Sequence, residues 1–153
     1  DFIKNIMEGF LVTGLGMAFT GNSRPASGSE HIVAHVWELE SVERGEKPNL
    51  HGFEVCEGTR IMADMYRLLY SETDDKHLKS LIEKYLPYFD KIEEFCNKMD
   101  MPNVTTDYDM IYKAIMCALG LRDRYTILFY LRDKGQLDRY ADYATKKFLE
   151  RIG

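Results

Sequence analysis

Helical periodicity runs through almost the whole chain and constrains its fold more than any other feature. Apolar residues recur at intervals of three or four within each segment, for example at Ile61, Met65, Leu68 and Leu69. The strict alternation of apolar and polar residues that half-buried strands require is nearly absent. The pattern therefore predicts an all-α fold, a multi-helix bundle of six or seven helices.

Glycines and prolines divide this helical pattern. Gly21 is expected to end the first helix, and the polar segment 43–49 is expected to form a loop. Pro87 should bend or split the helical segment 74–99, because proline breaks the helical hydrogen-bond ladder. No internal repeat or low-complexity tract is present, so we expect residues 1–153 to form a single helical domain.

Composition excludes some classes of function. The chain has 153 residues, of which 45% are apolar and 29% charged, as in an ordinary globular domain. Its net charge is −5, and its basic residues are interleaved with acids, so we expect no nucleic-acid partner. Three unevenly spaced cysteines fit reduced thiols in a cytoplasmic protein.

Two features concern the start of the chain. The apolar run at residues 9–19 is too short to cross a bilayer and follows no basic leader, so we expect no membrane association. The chain opens with Asp1 and not with methionine, inside a helical pattern. We therefore expect that an amino-terminal part of a longer protein is missing.

Two of the four histidines lie on one segment with a helical pattern. His31 and His35 are four residues apart, and Glu38 falls on the same narrow stripe, which carries no lysine or arginine. Imidazoles at this spacing can converge on one point, which indicates a metal ion or a polarised substrate. Taken alone, however, such a pair is more often explained by hydrogen bonds to nearby carbonyl groups.

His51 favours a metal site over simple hydrogen bonds, because it lies near the start of the next helical segment. An antiparallel turn can bring it next to His31, and two imidazoles with one acidic ligand leave an open position on a catalytic zinc ion. His35 then suits a place beside the substrate. Of the acidic residues on that second segment, Glu54 fits a solvated face and Asp64 lies three turns away, so neither is a convincing third ligand.

Two segments resemble a known family: "GNSRPASGSEHIVAHVWE" and "LHGFEVCEGT". They are similar to the helical carboxy-terminal domain of glycerol-1-phosphate dehydrogenases, within the wider group of iron-dependent alcohol dehydrogenases, glycerol dehydrogenases and dehydroquinate synthase-like proteins. The stretch "SRPASGSEH" is the specific part, and "RDRYTIL" is similar more loosely. The resemblance implies that a Rossmann-like nucleotide-binding domain precedes this one in the family and is missing here.

The resemblance also implies a metal site and cofactors. Matched motif to motif, His31 and His51 are two ligands of a divalent metal ion, zinc in most members and iron or nickel as alternatives. An aspartate of the amino-terminal domain would be the third ligand. His35 takes the place of a catalytic histidine of the active site. NAD or NADP would be bound mainly by the missing domain.

A capping box is predicted at the start of the histidine helix. The hydroxyl of Ser27 and the carboxylate of Glu30 would bond reciprocally to backbone N–H groups, with the helix starting at Gly28. Arg24 and Ser27 at this helix start are candidates for holding a substrate phosphate, since free N–H groups and the helix dipole favour an anion. An equally simple explanation is that Arg24 pairs with a surface acid.

These features together imply metal-assisted reduction of a ketone, with hydride from a nicotinamide. On this hypothesis the chain is the metal-binding half of an NAD(P)-dependent glycerol-1-phosphate-type dehydrogenase, which converts dihydroxyacetone phosphate to glycerol 1-phosphate in the cytoplasm. Its partners would be the missing domain, a small phosphorylated polyol or ketone, and further copies of itself as a homo-oligomer. The chain alone should be inactive.

Two other functions stay open. A glycerol or polyol dehydrogenase of the same group would act on an unphosphorylated substrate. The sequence departs from the family pattern after His51, at Phe53, Glu54 and Cys56, and these changes leave the exact substrate open. A non-catalytic helical interaction module with a relic metal site is the third hypothesis, although the intact histidines favour retained chemistry.

Overall fold

The computed structural model describes residues 2–153, and over that range the chain forms eight α-helices and no β-strand. The helices are α1 (Phe2–Thr20), α2 (Ser29–Glu43), α3 (His51–Glu72), α4 (Lys76–Glu83), α5 (Leu86–Lys98), α6 (Tyr108–Leu121), α7 (Ile127–Asp133) and α8 (Leu137–Ile152). A short 3-10 helix, Arg24–Ala26, precedes α2. The predicted all-α fold is confirmed.

The breaks between helices follow glycine and proline. Pro87 lies in the first turn of α5 and separates it from α4. Gly21 and Gly135 have φ angles of 65°, which glycine adopts without strain, and they follow the ends of α1 and α7. The chain has more helices than the six or seven predicted because such breaks also divide its later part.

Four helices enclose the hydrophobic core. α2 packs against α3 and α6, and α8 packs against the same two helices from the other side. The largest fully buried apolar side chains of this core include Ile32, Ile61, Met65, Ile111, Ile115, Tyr140 and Phe148. Burial of each large aliphatic or aromatic side chain contributes about 1.5–3 kcal/mol. This core holds the two helices that carry the histidines in a fixed relation.

α2 and α3 approach each other closely at Gly58. A side chain on Gly58 would begin 2.7 Å from the backbone carbonyl oxygen of Glu30. Only glycine fits that spacing, and it lets α3 lie against the first turn of α2. The same close approach places His51, the first residue of α3, beside the histidines of α2.

α1 stands apart from this core. None of its residues is buried, and its main contact within residues 2–153 is with the short 3-10 helix, where Pro25 lies 3.2 Å from a side chain built on Gly16. No described atom lies within 4 Å of a side chain built on Gly14. Its exposed large apolar residues include Phe2, Ile3, Met7, Phe10, Leu11, Val12 and Phe19.

The length of α1 corrects the expectation that its apolar run is too short to cross a bilayer. The apolar run at residues 9–19 is part of a 19-residue helix, which is long and apolar enough for a membrane crossing when judged by length and composition alone. A single helix of this kind is weak evidence, because buried helices in protein interiors have the same properties.

Candidate metal centre

Three histidines meet where α2 faces the start of α3. The ring centroids of His31 and His51 are 5.4 Å apart, and those of His35 and His51 are 5.3 Å apart. His31 and His35 are partly buried, whereas His51 is exposed. The structure therefore brings the three predicted site histidines to one place at the surface of the bundle.

The carboxylate of Glu38 connects two of these rings. One oxygen accepts a hydrogen bond from Nδ1 of His35 at 2.6 Å, and the other accepts one from Nδ1 of His51 at 2.7 Å. Burial by itself would raise the pKa of Glu38, but these two hydrogen bonds outweigh it and lower the pKa below its usual value. Glu38 is therefore an anion at neutral pH.

Glu30 binds the ring of His31 in the same way as Glu38 binds those of His35 and His51. Its carboxylate accepts hydrogen bonds from Nδ1 of His31 at 2.8 Å and from the backbone N–H of Gly28 at 2.7 Å. Burial would raise the pKa of Glu30, but the hydrogen bonds, first that of His31, bring it below its usual value. Each of the three imidazoles thus donates Nδ1–H to a carboxylate and keeps Nε2 for another partner, the arrangement that metal-binding histidines commonly have.

The donor atoms are close enough to hold one ion. One ligand atom each from His35, Glu38 and His51 lies within 4.8 Å of the other two. From the sequence, His31 and His51 are the predicted ligands, with His35 beside them. This pair and the set of His35, Glu38 and His51 overlap, because both contain His51. Nitrogen and carboxylate oxygen donors of this kind suit zinc, and also iron or nickel.

Sequence reasoning placed Glu38 on the histidine stripe but did not consider it as the acidic ligand. The signal was its position three residues after His35, since residues three apart on a helix are neighbours. Its second contact, with His51, depends on how α2 and α3 pack, which spacing along the chain does not reveal.

The position of Glu54 differs most from expectation. Predicted on a solvated face, it is fully buried at 0% exposure, and neither carboxylate oxygen has a hydrogen-bond partner among the described residues. Burial and the charge of Glu38 raise the pKa of Glu54 to about 7, against a smaller opposite effect of Asn49. The prediction is wrong because Glu54 precedes Gly58 by one helical turn and lies on the face of α3 that packs against α2.

The surroundings of Glu54 suit a nearby cation. After burial, the charge of Glu38 is the next largest cause that raises the pKa of Glu54. An unpaired buried carboxyl is costly, and no lysine or arginine among the described residues forms an ion pair with it. A divalent ion held by the histidines would offset the negative charge of these carboxyl groups, so the residues present suit the metal that the family resemblance implies.

Asp64, the other acidic residue considered from the sequence, is engaged elsewhere. Its carboxylate is 4% exposed and pairs with Arg151 at 2.6 Å and with Arg67 at 3.2 Å. The pair with Arg151 connects α3 to α8, and the pair with Arg67 lies within α3. Asp64 therefore has a structural role in the bundle and is not a ligand at the histidine cluster.

The predicted capping box forms only in part. α2 begins at Ser29 with Gly28 as its N-cap, and no side chain caps it. Glu30 reaches back as expected, but it accepts from the N–H of Gly28 and not from that of Ser27. The helix therefore starts one residue later than predicted, and the carboxylate of Glu30 already occupies one of its free N–H groups.

A different residue anchors the loop before α2. The guanidinium of Arg124, in the segment between α6 and α7, donates to the carbonyl of Ser27 at 3.3 Å and to the hydroxyl of Ser23 at 2.6 Å. These hydrogen bonds connect the segment before α2 to the segment between α6 and α7. Arg24 in the same loop is exposed.

A cavity of about 320 Å³ opens beside the cluster, between α2 and the end of α6. Its lining residues are His35, Glu38, Leu39, Val42, Leu121 and Arg122. The volume lies at the small end of the range for ligand pockets. A small molecule in this cavity would contact His35 and Glu38 directly.

Several curated relatives of this chain are named glycerol-1-phosphate dehydrogenase (NAD(P)+). The protein of Bacillus licheniformis is 32% identical over 146 residues, which is 90% of this chain. That of Korarchaeum cryptofilum is 36% identical over 123 residues, 80% of this chain. That of Bacillus subtilis is 29% identical over 152 residues, 92% of this chain.

The chain spans 36%, 34% and 39% of the length of these three relatives, respectively. No protein-family model matches the chain, and no solved structure matches it.

Proposed function

The chain is homologous to the glycerol-1-phosphate dehydrogenases over most of its length, and on this premise we propose that it is the metal-binding part of such an enzyme. The reaction would reduce dihydroxyacetone phosphate to glycerol 1-phosphate with NADH or NADPH. The observation that carries the proposal is the meeting of three histidines, each held at Nδ1 by a carboxylate, at one point of the bundle.

His31 and His51 would hold the divalent cation through Nε2, with Glu38 hydrogen-bonded to Nδ1 of His51, and zinc is the first choice. When bound, such a cation polarises a ketone oxygen and stabilises the negative charge that develops there during hydride transfer. Glu30 and Glu38 keep the rings oriented with Nε2 unprotonated. Without these carboxylates the rings would be free to rotate and to change tautomer.

We assign His35 a place beside the substrate. It lines the cavity, and its Nδ1–H is held by Glu38, so its Nε2 is left to accept or donate a proton at a substrate hydroxyl. The alternative is that His35 replaces His31 as a ligand, which the close spacing of His35, Glu38 and His51 allows. The binding experiment below separates the two assignments.

The phosphate of the substrate was expected at Arg24 and Ser27. Arg24 is exposed and stands near the start of α2, where the helix dipole favours an anion. The carboxylate of Glu30 lies at the same helix start and opposes a second negative charge. Glu30 therefore weakens the attraction of a phosphate to Arg24 and Ser27 at this helix start.

We propose that a further domain, which binds NAD or NADP, packs on α1. The exposed apolar residues of α1 lie on nearly all sides of the helix, a pattern typical of a helix surrounded by other structure. About two thirds of the length of the relatives has no counterpart in this chain, which leaves room for such a domain. On this proposal the enzyme is cytoplasmic, and the chain alone does not turn over substrate.

Calorimetric titration with Zn²⁺ tests the metal site. We expect the chain to bind one ion, and His51→Ala to weaken binding by more than about tenfold. His31→Ala should do the same, and His35→Ala should have less effect if His35 faces the substrate. His77→Ala is the matched control, because His77 is exposed on α4. Equal binding by all variants would exclude the proposed site.

Enzyme assay tests the reaction. The native protein that contains this chain should reduce dihydroxyacetone phosphate with NADH or NADPH, and chelation should abolish the activity. A clear preference for unphosphorylated glycerol would assign the protein to the polyol dehydrogenases instead. Metal binding with no dehydrogenase activity would support an interaction module that has kept its metal site.

A further inference from the structure

We propose that Arg122 binds the phosphate group of the substrate and thereby fixes its orientation in the cavity. The inference rests on the proposed function, because it concerns how the substrate of that reaction is held. It assigns to Arg122 the role that sequence reasoning gave to Arg24.

The position of Arg122 is the first argument. It directly follows α6, with an extended backbone at φ −147° and ψ 135°, and its side chain lines the cavity that His35 and Glu38 also line. The cavity lining therefore combines His35 and Glu38 of the histidine cluster with the basic residue Arg122. Arg24 is not among its lining residues.

The second argument is that the guanidinium of Arg122 has no charged or hydrogen-bonding partner among residues 2–153. Arg124, two residues later, in contrast donates to Ser23 and Ser27. A planar guanidinium without a partner can bind two phosphate oxygens at once, which lysine does not do in the same geometry.

The third argument is the charge distribution in the cavity. Arg122 is the basic residue of the lining and Glu38 the acidic one, so the phosphate is expected next to Arg122. Leu39, Val42 and Leu121 form the apolar part of the lining. A bound triose phosphate would then present its carbonyl end to His35 and Glu38.

Kinetics with paired substrates test the inference. In the native protein that contains this chain, Arg122→Gln should raise KM for dihydroxyacetone phosphate by about 10- to 100-fold. KM for unphosphorylated dihydroxyacetone should stay within about twofold, because that molecule has no group for Arg122 to bind. Arg122→Lys should recover part of the loss. Arg132→Gln is the control, since Arg132 is exposed and pairs with Asp133 on α7.

Direct binding separates this inference from the proposed function. Calorimetry with glycerol 1-phosphate and with inorganic phosphate should show weaker binding to Arg122→Gln than to the unchanged protein, whether or not the protein reduces dihydroxyacetone phosphate. Unchanged binding and unchanged KM in Arg122→Gln would overturn the inference while leaving the dehydrogenase function intact. A loss in Arg24→Gln alone would return the phosphate to the start of α2.

Discussion

The carboxylate of Glu38 on α2 accepts a hydrogen bond from the ring of His51 on α3, across a separation of 13 residues in the chain. The contact joins the middle of one helix to the first residue of the next. It orients His51, the exposed member of the cluster, in the absence of any bound ion. A site that is ordered before the ion arrives loses less conformational entropy on binding.

Removal of this contact should weaken metal binding. We expect Glu38→Gln to lower the affinity for Zn²⁺ by about 10- to 100-fold, because the amide neither accepts from both rings nor carries the negative charge. Calorimetry measures the change. Glu40→Gln is the matched control, since Glu40 lies on the same helix and pairs with Lys113 instead. Similar affinities in the two variants would show that Glu38 does not contribute to the site.

The buried carboxyl of Glu54 should make stability depend on pH. Its pKa in the folded chain is about 7, above its ordinary value of 4.5, so its contribution to stability is full below about pH 4.5 and is lost as the pH rises through 7. Without metal, Glu54→Gln should therefore gain in melting temperature relative to the unchanged chain between pH 5 and pH 8. Thermal unfolding at several pH values measures this.

The exposed Glu94 offers the control for that experiment. Glu94→Gln should shift the melting temperature by a similar small amount at every pH. If Glu54→Gln behaves in the same way, Glu54 is ionised with equal ease in the folded and unfolded chain, and the buried environment described above is incorrect.

The cysteines should differ in reactivity. Cys56 and Cys96 lie with their sulfur atoms 2.9 Å apart, and burial and the hydrogen bond with Cys96 raise the pKa of the Cys56 thiol to about 12. Since the thiolate is the reactive form, we expect iodoacetamide at pH 8 to modify the exposed Cys117 more than about tenfold faster than Cys56. Mass spectrometry of timed samples measures the rates. Equal rates at the three cysteines would contradict the prediction.

Gly58→Ala should destabilise the bundle. The added methyl group would lie 2.7 Å from the carbonyl oxygen of Glu30, so α2 and α3 must move apart, at a cost of about 1–3 kcal/mol. Gly120→Ala is the control, because Gly120 lies in α6 with open space around it, and alanine there should stabilise by up to about 1 kcal/mol. Urea unfolding of both variants measures the difference. Equal effects would show that the helices do not touch at Gly58.

The sequence predicts the fold well because helical periodicity is a local property. The repeat of apolar residues and the break at Pro87 both follow from neighbouring residues. Part of the histidine cluster can be predicted for a similar reason, since His31 and His35 share a helix face. The burial of Glu54 cannot be predicted in this way. Its polar side chain suggests exposure to solvent, whereas the packing of α3 on α2 decides where it lies.

Two other features depend on contacts between distant parts of the chain. Arg122 reaches the cavity only because the end of α6 packs beside α2, and no spacing rule connects it with His35. Arg124 donates to the carbonyl group of Ser27, 97 residues earlier in the chain, which fixes the segment before α2. Local patterns carry no information on either contact.

The double hydrogen bond of Arg124 to Ser23 and Ser27 has a consequence for motion within the site. These hydrogen bonds connect two surface segments, the one that leads into α2 and the one that carries Arg122. Because Arg122 lies two residues before Arg124, the segment that carries it is tied to the residues that lead into α2.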